Sequence, residues 1–475
     1  MRSPFNAGRY ARLLEGLNGG EERFSEMLRR RRIDSENAAH PKRVWLKSIL
    51  ESRHFVSLST VLDFIGSGHT PYKHDVSEGD IGFVTVECIG PLQFVSELTK
   101  RITCAQYDKE YKTKRVKKGD VLCTIKRRIC QAYAFTSDPQ EPLAINQDIA
   151  LLRPRLPMQP AYLATYLSCS IGQAFADRQK TEQMNPYISV DNLGTLPVYS
   201  ASDTIQSAVT NIIEHAAKVK REELEHLRVA ESKLISSLGL GSWQPSDPLT
   251  YTRRASEVFI ARRMDSQYFA PHVAELLARL GAGTLTIGDM AYPRREKFTP
   301  EGNGTFRYIE ISDVRNNGTT TYETMPIREA PSRASWYVHA GDVLTSTVRP
   351  IRRLSALVTP EQDGCVASSG FLVLQPQSVR AEVLLTYLRL PLLCELMNLH
   401  TSASLYPAIN ERDLLALPFP SIAPENRDAI AANVRSAHDA RARAQQLLEC
   451  AKKAVEIAIE DSESSALVYL EGKVS

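Results

Sequence analysis

The chain has 475 residues, 43% of them hydrophobic and 24% charged, which fits a globular protein of two to four domains and excludes a disordered or fibrous one. A net charge of +3 is nearly neutral, so an anionic partner must be met by local patches. Eight scattered cysteines form no CxxC pair and no zinc spacing, and no apolar run approaches the ~18 residues of a membrane span. The expected setting is a cytoplasmic protein with reduced thiols and no membrane partner.

Residues 1–40 read as a basic helical arm. Residues 41–200 mix short β-type runs, such as Gly82–Val86 and Val121–Ile125, with turn signals and helical stretches such as Tyr162–Phe175. The class is α+β, without the strand–helix alternation of a doubly wound sheet. In residues 201–242, Ile205, Val209, Ile212, Ala216 and Val219 step by 4 and 3 in a run free of Gly and Pro up to Leu238. This predicts a long amphipathic helix, its stripe resuming one position out of phase at Leu224, Leu227, Leu234 and Leu238. Residues 243–253 read as a linker. Residues 254–422 repeat the arm and the mixed domain. Residues 423–461 give a second long helix, and residues 462–475 a C-terminal tail. The second stripe is Ile430, Val434, Ala437, Ala444, Leu448, Ala451, Val455 and Ala458, interrupted by Arg441. A helix of ~34 residues spans about 50 Å. Two such helices, each with one apolar seam, pack most economically as an antiparallel coiled coil between the mixed domains. The alternative is that each packs only on its own domain.

The chain states one plan twice. Arg23–Ser35 returns as Arg254–Ser266, Gly119-Asp-Val-Leu122 as Gly341-Asp-Val-Leu344, and Ala150–Pro154 as Leu372–Pro376. Thr165-Tyr-Leu167 returns as Thr386-Tyr-Leu388, and Pro186-Tyr-Ile-Ser189 as Pro407-Ala-Ile-Asn410. The order is kept and the separation stays at roughly 220–230 residues, far beyond the 20–50 of a solenoid repeat. A duplicated domain has pseudo-two-fold character and suits a target with two related, unequal halves. The repeats diverge most around residues 66–118 and 288–340.

Motifs for catalysis are missing. There is no nucleotide-binding P-loop and no G-x-G-x-x-G after a strand. Asn185-Pro-Tyr187 reads as a structural turn, and Lys126 with Glu141 and Asp148 lacks nuclease spacing. The charge pattern is more informative. Lys100 to Arg128 carries eleven basic residues against three acidic ones, with Tyr107 and Tyr111 interleaved. Such a patch suits phosphate contacts, with a few side chains reaching base edges. The candidate DNA-binding residues are Lys112, Lys114, Arg115, Lys117, Lys126, Arg127 and Arg128 in the first half. In the second they are Arg294, Arg295, Arg349, Arg352 and Arg353. The arginines at 127–128 and 349–353 follow matching Gly-Asp-Val-Leu strands.

Taken in order and twice over, these features resemble the specificity subunit of type I restriction-modification systems, over about residues 23–460. The Gly68–Pro71 turn, the Tyr308–Asp313 strand and Ile145-Asn-Gln147 add to the resemblance. It implies two target-recognition domains, each reading one half of a bipartite, asymmetric site on double-stranded DNA. It implies that the long helices serve as spacer and as docking surface for two methyltransferase subunits, with restriction or translocase subunits as further partners. No catalytic residue, metal or cofactor is then expected in this chain; S-adenosylmethionine and ATP with Mg would sit on the partners. The sequence departs from the family at Gly66-Ser-Gly-His69, and the second half keeps only Thr299-Pro300 of the Gly-x-Thr-Pro turn. The rival readings are an adaptor or scaffold of another phage-defence complex and, with no motif behind it, a self-contained methyltransferase or nuclease.

Overall fold

Residues 43–71, 79–181, 185–281, 283–401 and 406–474 are described by the structure, a computed structural model. The arm expected over 1–40, with Arg23–Ser35, lies outside the described residues. The described residues divide into two units. One holds those up to Lys218 and those from Arg443 on; the other holds Val219–Ala442. The division passes through both long helices.

In the first unit the chain forms β1 (Phe55–Ser57), β2 (Leu62–Ser67), β3 (Ile81–Val84), β4 (Ile89–Gly90), β5 (Gln93–Phe94) and β6 (Lys100–Ile102). These are followed by β7 (Val121–Thr124), β8 (Ala132–Ala134), β9 (Leu143–Ile145), β10 (Ile149–Pro154) and β11 (Pro197–Tyr199). One sheet has the order β2-β10-β7-β8, with every pair antiparallel. Its inner strand β10 buries Ile149, Ala150, Leu151 and Leu152 in succession. Both faces are covered, so the run is unbroken rather than alternating. A second sheet, β6-β3-β9, pairs β3 with β9 in parallel. Val84, Leu122, Leu143, Ile145, Ile149 and Leu151 form one core shared by strands of both sheets. The helices Pro160–Ser168 and Ser170–Gln179 follow β10; the first starts on a proline, whose missing N–H is no loss there.

The second unit contains β12 (Ala291–Pro293), β13 (Thr305–Ile309), β14 (Glu323–Pro326), β15 (Ala334–Val338) and β16 (Val343–Ser346). It continues with β17 (Ser355–Leu357), β18 (Cys365–Ser368) and β19 (Phe371–Pro376). Its sheets run β12-β19-β16-β17 and β14-β13-β18-β15, with β13 and β18 parallel. These two sheets repeat the order β2-β10-β7-β8 and β6-β3-β9 of the first unit, with β15 added and without counterparts of the β4–β5 and β1–β11 pairs. Where β15 lies, the first unit has a short helix, Cys104–Glu110, and an irregular loop up to β7. The departure falls in the stretch where the two sequences diverge.

The long helices run over Asp203–Ser237 and Pro424–Glu460, 35 and 37 residues. Ile205, Val209, Ile212, Ala216 and Val219 are buried, as are Ile430, Val434, Ala437, Leu448 and Val455. The phase break expected at Leu224 falls later, between Ala230 and Leu234, and Leu234 and Leu238 are buried one position out of step as expected. Leu224 is 44% exposed, while Glu223 is 1% exposed and Ala230 is buried. The first stripe continues in step through Glu223 and His226, and the second through Arg441: seam positions are kept but filled with polar residues. Within the second unit, His226 Nδ1 lies 3.1 Å from Asn433 Oδ1, and Glu223 lies 3.9 Å from Arg441. The helices are therefore antiparallel there. The Asn317 side-chain amide and the Lys220 ammonium each donate to Glu223 at 2.6 Å, so this buried carboxylate is well satisfied.

Of the second arm, Ala255–Ala261 is helical and buries none of its residues. Phe259, Ile260 and the nearby Met264 are 79%, 84% and 89% exposed.

Candidate nucleic-acid interface

The Gly-Asp-Val-Leu motif builds the same turn in both units. Gly119 and Gly341 have φ of +88° and +91°, a region that favours glycine. The next residues, Asp120 and Asp342, are 1% and 2% exposed. Each carboxylate accepts the backbone N–H three residues back, from Lys117 at 3.0 Å and His339 at 2.8 Å. Each is then neutralised by an arginine. Arg153 Nε donates to Asp120 at 2.9 Å, and Arg294 Nε and Nη2 donate to Asp342 at 2.6 and 2.9 Å. Arg294, a candidate DNA contact in the sequence, is thus committed to a buried ion pair. The side chain of Asp342 raises the pKa of Arg294 against the opposing effect of burial.

From these turns β7 and β16 lead into two arginine-bearing loops. Arg127 and Arg349 have φ of 64° and 49°, left-handed and uncommon for a residue with a side chain. Their amides donate to the carbonyls of Pro186 and Pro407 at 2.9 and 2.7 Å. Two residues further along, Ile188 and Ile409 donate back to Ile125 and Thr347, both at 3.0 Å. Two repeated motifs distant in sequence, Gly-Asp-Val-Leu and Pro-x-Ile, therefore meet at one equivalent place in each unit. Each junction has a tyrosine beside it. Tyr187 pairs with Lys126 through a β-bridge and is exposed; Tyr406 is exposed, and the Arg349 guanidinium lies 5.2 Å from its ring centre.

The neighbouring candidates differ in how firmly they are held. Arg127 reaches Glu87 at 3.0 Å, and the two side chains are 60% and 54% exposed. Burial pushes the Glu87 carboxyl up. Hydrogen bonds from Thr85 and its own backbone, with the charges of Arg127 and Arg128, outweigh this and hold it below the usual carboxylate range. Arg128 donates to the Val86 carbonyl at 3.0 Å, and Lys126 lies 3.4 Å from Asp148. Glu141 is paired instead with Arg101, so the three do not gather. Arg352 is exposed. Arg353 is tied into the fold, with Nε on the Arg389 carbonyl at 2.6 Å and Nη2 on Glu231 at 2.9 Å. Arg295 pairs with Glu411.

Lys112, Lys114, Arg115 and Lys117 lie on the irregular loop before β7. Lys112 and Lys117 are exposed, and neither side chain has an ion pair among the described residues. Arg115 donates to Asp108 at 2.6 Å and lies 4.9 Å from the Tyr107 ring centre. Tyr107 and Tyr111 are not surface aromatics: both are buried and stack at 6.0 Å, and the Tyr111 hydroxyl donates to the His69 carbonyl at 2.6 Å. They anchor the base of the loop. Asp120, Asp342, Arg153, Glu87 and Tyr406 were not singled out by the sequence. Only the motif's repeated Asp carried a signal, and it resembles any turn aspartate.

Among the described residues no group of three or more His, Cys, Asp or Glu is placed to hold a metal ion, and no helix is long and apolar enough to cross a membrane. All eight cysteines are unpaired, and only Cys104 is exposed.

No family model and no curated protein matches the chain. Solved structures do. A chain from a study of complex assembly and conformational transition of the type I R-M system is 15% identical, covering 88% of this chain and 97% of that one at a TM-score of 0.27. The type I restriction-modification S subunit from M. genitalium is 11% identical, covering 88% and 96% at 0.33. The HsdS subunit from Thermoanaerobacter tengcongensis is 15% identical, covering 88% and 96% at 0.26. These three solved chains, each from a type I restriction-modification system, are matched over nearly their whole length.

Proposed function

We propose that the chain is a non-catalytic DNA sequence-recognition subunit of a type I restriction-modification complex. Each unit reads one half of a bipartite, asymmetric site. The two long helices, packed antiparallel as a coiled coil, set the gap between half-sites and dock two methyltransferase subunits. One observation carries the reading: the same arginine-bearing loop stands on the same strand order in both units, beside stretches that differ in sequence and structure. A constant framework with variable surroundings is what two readers of different sequences need. Transfer of the methyl group, with S-adenosylmethionine, and any ATP- and Mg-dependent restriction belong in this reading to partner subunits.

The test is to isolate the tagged chain from its own cells and map genomic methylation with and without its gene. Co-purification of a methyltransferase subunit, with loss of one bipartite methylated motif on deletion, is the expected result. An unchanged methylation pattern sinks the reading. A second reading, an adaptor that binds protein rather than specific DNA, is favoured by the exposed Phe259, Ile260 and Met264. Charge reversal at Lys114, Arg115, Arg127 and Arg128 separates the two. It abolishes DNA binding under the first and leaves activity intact under the second.

A further inference from the structure

Resting on that reading, we infer that Arg127 and Arg349 are matched base-reading residues, one for each half-site, each directed at a guanine. Lys112 and Lys117 hold phosphates without regard to sequence.

The argument starts from the backbone. A left-handed φ strains any residue with a Cβ, and a turn that needed only this conformation would be served by glycine or asparagine. Arginine occupies it in both units, at equivalent positions after β7 and β16, with the same amide-to-proline hydrogen bond. Strain retained at matched places, where a smaller residue would remove it, marks a side chain kept for what it does. Each Cα is also pinned. The strand holds it from one side and the Pro186 or Pro407 carbonyl from the other, so the guanidinium starts from a fixed point.

The surroundings fit a poised group. Arg127 is paired with Glu87, and both are more than half exposed, so the pair can open toward a ligand. Arg349 lies against the exposed Tyr406 ring. Arg294, unlike Arg127, is held in an ion pair with a carboxylate that is 2% exposed. A planar fork launched from a fixed backbone suits the paired acceptors O6 and N7 of guanine in the major groove. Flexible ammonium groups on an irregular loop lack that geometry and suit phosphate, where any orientation serves.

The experiment selects bound duplexes from a randomised pool, using the full chain assembled with its methyltransferase partner. Wild type, Arg127→Gly, Arg349→Gly and the pair Lys112→Ala/Lys117→Ala are compared, each with a melting curve. Arg127→Gly is expected to lose preference at one guanine of one half-site, weakening that site about 5- to 100-fold, with the other half unchanged. Arg349→Gly does the same in the other half. Neither lowers the melting temperature, because glycine accepts the left-handed φ; a merely structural arginine would lower it. The lysine pair flattens the salt dependence by roughly two charges and leaves the motif intact. Retained guanine preference in either glycine variant overturns the inference, as does a uniform loss of affinity at all sequences. If wild type selects no motif, the reading itself fails and the inference falls with it.

Discussion

Arg294 grips Asp342 with two parallel hydrogen bonds of 2.6 and 2.9 Å, and the carboxylate so held is 2% exposed. Removing the arginine leaves a buried anion without its partner, which typically costs about 3 kcal/mol or more. Arg294→Ala is therefore expected to destabilise the second unit by that order in chemical denaturation, and Arg153→Ala the first. Removing both partners, as in Arg294→Ala/Asp342→Ala, should recover much of the loss. If the double variant is as unstable as the single one, the ion pair is not the cause.

The polar insert in the helix seam makes a second prediction. Glu223→Ala strips the carboxylate that receives Lys220 and Asn317 and faces Arg441, and should destabilise by about 3 kcal/mol or more. Glu223→Leu/Arg441→Leu makes the seam apolar at both of these positions and should match or exceed wild-type stability, since buried ion pairs often lose to well-packed hydrophobes. A double variant weaker than Glu223→Ala would show that the seam depends on its charges. Unfolding midpoints at fixed pH decide it.

Three histidines pull stability in opposite directions with pH. Glu296 at 2.9 Å and Asp363 at 3.2 Å raise the pKa of His339 against burial, so protonation favours the fold. This contribution is complete below the unfolded value of about 6.5 and fades as pH rises through the folded value. Burial is the first cause that lowers His438, with the Arg441 charge next, and burial leads for His400 as well. These two oppose folding as pH falls below about 6.5, because the unfolded chain then binds the extra protons. His339→Gln should steepen the loss of melting temperature between neutral pH and pH 5, and His438→Gln should flatten it. Parallel slopes for wild type and both variants would contradict the assignment.

Gly68 admits no side chain. A Cβ there would lie 2.1 Å from the Ile145 carbonyl oxygen and 2.3 Å from that of Asn146, both backbone atoms that cannot step aside. The Gly68 and His69 amides meanwhile donate to Ile149 and Ile145 at 3.0 Å. Gly68→Ala is expected to cost about 3 kcal/mol and to lower the yield of folded protein. Circular dichroism melts would test this, with Gly472→Ala, where nothing stands within 4 Å, as the neutral control.

What the sequence revealed followed the range of the forces involved. Long helices are written in local periodicity, and Ile205 to Val219 announced theirs. The stripe was misread at Leu224 because apolar residues were sought and the seam position held Glu223, whose burial depends on Asn317, 94 residues away. Tyr107 and Tyr111 read as part of a basic surface, since a tyrosine in a lysine-rich run looks the same whether its ring faces solvent or core. The repeats pointed to the arginine loops. They could not show which arginines stay outward, because Arg294 is retired by a partner 48 residues on and Arg353 by one 122 residues back.

The buried aspartates also constrain how such a duplicated chain could trade segments. Asp120 takes its guanidinium from β10, inside the shared framework. Asp342 takes its own from Arg294, just past β12, where pairing with Val373 puts it at the position that Gly66 holds against Leu151. A chimera carrying the 66–118 stretch in place of 294–340 would present glycine there and Gln375 at the place of Arg153, leaving Asp342 an orphaned anion. The reciprocal chimera would crowd two arginines onto Asp120. Viable crossovers fall after Arg294 rather than before it, so an inherited counter-ion, more than sequence identity, sets where one unit can be spliced onto the other.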